Sequence, residues 1–410
     1  MKRVVVTGMG GISPLGNSWP DVRQKLLSLQ NAVVRVNEWD RYTGLNTKLA
    51  CPAAPFTLPE DRYPRRVMRA MGRVALLAVR ASELALEDAG LLGHPVIRSG
   101  QTGVAYGSSA GNPDSIADFA GMMLNDSIDT ITATTYLRMM GHTAPVSIGL
   151  FFKATGRIIP TSSACTSGSH GIGYAYETIR GGAQKVMITG GSEELHAADA
   201  AIFDTLFATS SKNDTPALTP RPFDADRDGL VIAEGAGTLI LEELEHAKAR
   251  GAKIHCEVVG FGTNSDGAHP TNPKPETMRV AMELALADAG LSASDIAYVN
   301  AHGTATDNGD VAESHATAHV FGSRVPVSSL KSYMGHTLGA CGALEAWMTI
   351  EFMKEGWAAP TINLANVDPR CAELDYIKKE ARKISAEHVM SNNFAFGGIN
   401  TSLIFRAYNG

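Results

Sequence analysis

An eleven-residue segment, Ala81-Ser82-Glu83-Leu84-Ala85-Leu86-Glu87-Asp88-Ala89-Gly90-Leu91, returns two hundred residues later as Ala281-Met282-Glu283-Leu284-Ala285-Leu286-Ala287-Asp288-Ala289-Gly290-Leu291, with nine positions identical. No short-period solenoid repeats at that distance, so the pattern indicates one large unit present twice. In each copy the apolar residues recur at helical spacing and a glycine falls where the helix would end, which predicts a helix with a Gly cap. The surroundings correspond as well. Val5-Val6-Thr7-Gly8-Met9-Gly10 precedes the first copy and Val258-Val259-Gly260-Phe261-Gly262 the second. A strand-like run follows each, Thr102–Gly107 and Ile296–Asn300, and further strand-turn-helix units begin near Ile158 and Val325. Two halves of like plan are expected, residues 1–250 and 251–410, joined at Lys248-Ala249-Arg250-Gly251. Short apolar strands alternating with amphipathic helices predict an α/β protein with mainly parallel sheets covered by helices. No Pro/Gly/Ser-rich linker separates the halves, so they are expected to form one rigid body.

A chain of 410 residues with 44% apolar content can bury a large core, which excludes a disordered chain or a small stapled scaffold. With 36 Lys and Arg against 42 Asp and Glu, the net charge of -6 argues against a general nucleic-acid binder. Five cysteines without a Cys-x-x-Cys pair indicate neither a disulfide framework nor a zinc ribbon, and fit a reducing, cytoplasmic location. The first residues turn into glycines at Gly8, Gly10 and Gly11 too soon for a signal peptide or a membrane span. Glycine supplies 41 residues, above the roughly 7% of an average chain. Gly8, Gly10, Gly168, Gly303, Gly335, Gly397 and Gly398 are expected in turns around a cleft.

Chemistry is concentrated in a few segments. Ile158 to Ser169 reads as a strand entering a turn of small residues, with Cys165 ahead of a helix over Ile172–Ile179 that stops at Gly181-Gly182. A thiolate there gains from the helix dipole and free N–H groups, as a nucleophile requires; a buried small cysteine is the alternative. His302 and His336 occupy Gly/Thr-flanked turns, where neutral imidazoles donate to a developing oxyanion or simply cap a loop. Arg62, Arg65, Arg66, Arg69 and Arg73 share one face if helical, a basic patch on an acidic chain or a solvated face with internal partners. Gly107-Ser108-Ser109-Ala110-Gly111 admits a serine hydrolase using Ser109, although no Asp or His motif accompanies it. Gly8-Met9-Gly10-Gly11 is a weak dinucleotide match, with Ser13 at the third glycine. His315 and His319 lack a third metal ligand.

These motifs in this order resemble the decarboxylating condensing enzymes of the thiolase fold, the 3-oxoacyl-acyl-carrier-protein synthases of type I/II. The likeness runs through Val6–Gly10, Ser163–Gly168, Arg221–Gly229, Glu234–Gly237, both His turns and Ser391–Asn400. It implies a five-layered αβαβα fold of two related halves, with Cys165 in the first and both His in the second. It further implies that Cys165 carries the acyl chain as a thioester. Cys165 and Phe396 N–H groups would form the oxyanion hole, and Phe396 the gate. His302 and His336 would stabilise the malonyl-derived enolate, supported by Lys331 and the buried Glu345. Thr304 and Thr306 would hold the pantetheine arm, Ala110 and Met140 would line the acyl pocket, and Arg62, Arg65, Arg66 and Arg69 would dock an acidic acyl carrier protein. No metal or resident cofactor is required, because the carrier's phosphopantetheine delivers the substrate.

The resembled enzymes act as homodimers or pair with a chain-length-factor-like ketosynthase, and a non-catalytic subunit of that second kind is the rival reading. The presence of Cys165 marks the catalytic member. Asp307 stands where the family has Pro, Ile399 where it has Thr, and Ala110 where a larger aliphatic is common. The combination is similar to aryl-polyene ketosynthases. Cys341, near His336, is off the position of the thiolases' second cysteine and is expected at a tight helix start.

Overall fold

The computed structural model describes residues 1–410. Eleven strands form one continuous, strongly mixed sheet: β1 (Val4–Ile12), β2 (Thr102–Gly107), β3 (Ile158–Pro160), β4 (Val186–Glu193), β5 (Gly235–Glu243), β6 (Cys256–Ser265), β7 (Ile296–Asn300), β8 (Pro326–Ser328), β9 (Asp375–Tyr376), β10 (His388–Ala395) and β11 (Ile399–Ala407). Their order across the sheet is β9-β8-β7-β10-β11-β6-β1-β5-β4-β2-β3. The order 3-2-4-5-1 of the first half therefore recurs as 8-7-10-11-6 in the second, and the halves meet where Val4 opposes Val258 on antiparallel β1 and β6. Pairing sense is duplicated too. β2 is parallel to β3 and β4, as β7 is to β8 and β10, while β4-β5-β1 and β10-β11-β6 are antiparallel. The expectation of mainly parallel sheets is thus corrected: half of the pairings are antiparallel, and the turn between β10 and β11 is only three residues, Phe396-Gly397-Gly398.

Six helices cover this sheet: α1 (Arg73–Asp88), α2 (Thr143–Phe152), α3 (Ser167–Arg180), α4 (Pro275–Ala289), α5 (Asp307–Phe321) and α6 (Cys341–Glu355). α1 and α2 lie outside the first half, α4 and α5 outside the second, and α3 and α6 pack on each other between the two. Every residue of α6 from Cys341 to Met353 is buried, as a helix sandwiched on both sides must be. Five layers result.

The repeat has a packing explanation. A Cβ on Gly8 or Gly10 would come within 2.2 Å of Ala85 O or 2.6 Å of Ala85 N on α1. On Gly260 or Gly262 it would come within 2.4 Å of Ala285 O or 2.0 Å of Ala281 O on α4. Each strand's Gly-x-Gly admits the alanine-lined backbone of its helix. The helices also end alike: Gly90 and Gly290 both take φ +66°, and the Leu91 and Leu291 amides return to Leu86 O and Leu286 O. Asp88 and Asp288 then accept the Met9 and Phe261 amides at 3.0 and 3.1 Å, tying helix end to strand. Gly8 and Gly10 are accordingly strand residues, not the cleft turn expected of them, and this placement removes the dinucleotide alternative. No helix is long and apolar enough to cross a membrane.

Candidate active site

The loop after β3 turns sharply through Ala164, at φ +53°, and delivers Cys165 two residues before α3 begins. A non-glycine residue in that region is strained, and such strain gathers where backbone must present a reactive group. Ala305 (φ +65°) and Leu338 (φ +45°) mark equivalent distortions beside His302 and His336. His302 follows β7; His336 follows the short helical turn Lys331–Met334 after β8. These three elements converge. His336 Nε2 lies 3.0 Å from Cys165 Sγ, and the two imidazole rings stand 5.2 Å apart at 85°.

Hydrogen bonding fixes what each imidazole can do. Leu338 N–H donates to His336 Nδ1 at 3.2 Å. Lys331 Nζ, a donor only, lies 3.2 Å from His302 Nδ1. Burial, together with the Lys331 charge, pushes both histidines well below their ordinary pKa. Each ring is therefore neutral and keeps its proton on Nε2. Lys331 itself is 1% exposed and forms a buried ion pair with Glu345. Burial acts to lower its pKa, but the Glu345 carboxylate outweighs this and holds it above the ordinary lysine value. Asn393 Nδ2 donates to Glu345 Oε2 at 2.7 Å, which completes a charge-bearing layer behind the imidazoles.

Cys165 departs from expectation. Burial raises its pKa to about 12, although Lys331 and the N–H groups of Phe396 and Cys165 act to lower it. At 4% exposure, desolvation outweighs the helix terminus, and the resting form is the thiol. Cys341 sits at the start of α6 and donates its S–H to Cys165 O at 3.2 Å, so it braces the loop.

A cavity of about 230 Å³ opens onto Cys165, His302 and His336, walled by Phe203, Phe207, Phe394 and Phe396 and approached past Thr304 and Thr306. The Phe396 ring packs against Phe203, tilted by 39° with ring centroids 5.1 Å apart, and the two threonine hydroxyls lie 2.9 Å apart. Neither Lys nor Arg lines this space. Ala110 and Met140 lie outside it: Gly111 packs on the Met139 and Met140 carbonyls, and Ser162 Oγ ties that segment to the Cys165 loop at Gly141 O, 2.9 Å. Asp307 stands at the mouth, paired with Arg370.

The arginine stripe does not form one helical face. The helix over Arg65–Met68 stops before α1, so the five residues are split. Arg62 is spent on Glu83 and Glu87 and Arg73 on Glu234, leaving Arg65, Arg66 and Arg69 exposed without acidic partners. Ser109 is exposed, with its amide on Glu193 at 2.7 Å, and His315 bonds Arg370 O, so the hydrolase and metal alternatives gain no geometry.

The roles of two acceptors, Glu193 and Glu313, and one donor, Asn393, escaped the sequence reading. Glu193 gathers the amides of Ser109, Ala110 and Gly339. Glu313 takes those of His302 and Gly303, both at 2.7 Å. Asn393 links Glu345 to the imidazole layer. A Glu ending the apolar run Val186–Glu193 was the visible signal for the first.

Comparison with known proteins decides the family. Residues 1–247 match the beta-ketoacyl synthase N-terminal domain and residues 255–365 its C-terminal domain. The chain belongs to the beta-ketoacyl synthase family. It is 38% identical to 3-oxoacyl-[acyl-carrier-protein] synthase 2 of Vibrio cholerae over 99% of both chains, and 36% identical to synthase 1 of Haemophilus influenzae over 100% of both. Among solved structures, a beta-ketoacyl synthase from Burkholderia phymatum matches at 61% identity and TM-score 0.98, covering 100% of both chains. The ishigamide ketosynthase/chain length factor matches at 31% and 0.90 over 100% of both. This beta-ketoacyl synthase is thus an acyltransferase with the thiolase-like ketosynthase fold, and its five-layered build from two halves of one continuous sheet agrees.

Proposed function

We propose that this synthase makes 3-oxoacyl thioesters by decarboxylative condensation on an acyl carrier protein, with Cys165 holding the primer. The observation that carries the reading is the pair of neutral, Nε2-protonated imidazoles beside a buried thiol. In the first step the sulfur attacks the primer thioester, the C–S bond to the carrier breaks, and the thiol proton ends on the departing pantetheine sulfur. The N–H groups of Cys165 and Phe396, which both lie against the sulfur, receive the oxyanion. In the second step a malonyl thioester enters past Thr304 and Thr306, with its carbonyl oxygen on His302 and His336 Nε2–H. The cavity offers its carboxylate several phenylalanine rings and neither Lys nor Arg. Loss of CO2 removes that buried charge, and the electron pair moves to an enolate oxygen held by two preorganised donors. The enolate carbon attacks the Cys165 thioester, forming the new C–C bond; the Cys165 thiolate leaves and takes up one proton.

Arg65, Arg66 and Arg69 are the surface we assign to the acidic carrier. Exposed apolar side chains, Ile158 (43%) on the edge strand β3, Met123 (69%) and Leu124 (82%) on the helix Pro113–Asn125, and Ile128 (72%) just beyond it, support burial against a second ketosynthase-fold chain. Likeness to the ishigamide ketosynthase/chain length factor supports a chain-length-factor partner, and with such a partner we read the product as a polyketide of the aryl-polyene kind. Five free thiols favour the cytoplasm.

Release of CO2 from a malonyl carrier protein tests the imidazole assignment. His302→Ala and His336→Ala are each expected to lower its rate about 100-fold or more, the loss typical of one oxyanion donor, while Cys165 still takes up a primer. Unchanged CO2 release in either variant would contradict the assignment.

A further inference from the structure

We infer that His170 is a positioning residue that sets the spacing of the oxyanion hole by pinning the Cys165 loop to the second half of the molecule. The inference rests on the reading that Cys165 is acylated. That hole takes one N–H from each half, Cys165 from the loop before α3 and Phe396 from the β10–β11 turn. Donors work only when held within about 0.5 Å of their productive positions, so something must hold the halves in register at this point.

His170 is placed to do so. It lies one turn into α3, 6% exposed, outside the catalytic cavity. Its Nδ1 is 2.7 Å from Ser163 Oγ, two residues before the nucleophile, and its Nε2 is 2.9 Å from Thr263 Oγ1 on β6. Thr263 pairs directly with Thr401 on β11, the strand that leaves the Phe396 turn. The path Ser163–His170–Thr263 thus runs from one oxyanion donor's loop to the strand neighbouring the other's. Ser169 Oγ, on the same helix, meets Thr401 Oγ1 at 2.8 Å, and Thr401 donates to Asn393 O at 3.1 Å, so a second pin lies alongside. A neutral imidazole serves both ends, since one nitrogen donates and the other accepts; burial agrees with that state, lowering the His170 pKa to about 4. The strained Ala164 between Ser163 and Cys165 is what such a pin must hold.

The ring itself packs as an aromatic, stacked on Tyr174 at 5.0 Å and edge-on to Phe261 at 6.2 Å. His170→Phe therefore removes the two hydrogen bonds and keeps the packing, and Thr263→Val cuts one arm with almost no change of volume. Two reactions of Cys165 separate positioning from structure: acylation by an acyl-pantetheine thioester, which builds an oxyanion, and alkylation by iodoacetamide, which does not. His170→Phe is expected to slow acylation about 10- to 100-fold, a fraction of or equal to the loss of a whole donor, and to leave alkylation within about twofold. Thr263→Val should show the same selectivity, and the double variant should be no slower than His170→Phe alone, because both cut one path. If His170→Phe fails to fold, Thr263→Val carries the same readout. Equal acylation in variants and wild type, or acylation and alkylation falling together, would overturn the inference. A wild type that alkylates but never acylates would overturn the underlying reading instead.

Discussion

Burial pushes the Cys165 thiol up to about 12, so at pH 7 it rests as the thiol, with only a trace of thiolate. Cys165 is thus activated during attack and not beforehand, and its reactivity should follow pH accordingly. Below its pKa the thiolate fraction rises tenfold per pH unit, so iodoacetamide alkylation of Cys165 is expected to climb steadily from pH 7 to 9.5. A plateau near pH 7 or 8, read by mass spectrometry of the modified peptide, would contradict the burial argument. Cys165, His302 and His336 were legible as candidates because small residues and Gly-rich turns surround them in the sequence, whereas Lys331 stood out only through the family resemblance. The thiol's protonation was not, since a helix terminus can be read from spacing whereas desolvation depends on what the second half lays over it. Glu193 and Glu313 escaped for a similar reason: a carboxylate bonding two or three amides of other segments looks, in sequence, like any acid on a strand or helix.

Among elements, the duplicated strand–helix pair is where the sequence was most informative. Gly8-Met9-Gly10 with Ala81, Ala85 and Ala89, and Gly260-Phe261-Gly262 with Ala281, Ala285 and Ala289, encode one close contact twice. Gly262→Ala should therefore destabilise the fold by about 3 kcal/mol or more, at or above the upper end of core overpacking, because its Cβ would sit 2.0 Å from Ala281 O and backbone cannot yield. Gly121→Ala, within a surface helix and with nothing nearer than 4.0 Å, should be neutral or stabilising by up to about 1 kcal/mol. Urea midpoints compare the two; equal shifts would refute the packing explanation. The arginine stripe shows the opposite case. Its residues have helical spacing, but the first helix stops at Met68 and α1 starts only after its N-cap Gly72, and periodicity cannot reveal which arginines internal acids take up.

Over the whole molecule, one site is assembled from two related halves, so neither half alone could be complete. Strand order and the antiparallel joint of β1 to β6 were invisible in sequence, because short apolar runs specify strands and not their neighbours. The surface divides labour as well. Replacing Arg65, Arg66 and Arg69 by Glu should lower kcat/KM for carrier-bound primers about tenfold or more and flatten its salt dependence, while leaving small pantetheine thioesters unaffected. Equal effects on both substrate kinds would move the docking surface elsewhere. The central claim, that Cys165 carries the primer, is tested most directly by intact-mass measurement after mixing the protein with acyl carrier proteins bearing different chains. An acyl adduct on the wild type that is absent from Cys165→Ala is the predicted result; an adduct persisting in Cys165→Ala, or none from any carrier, would contradict it.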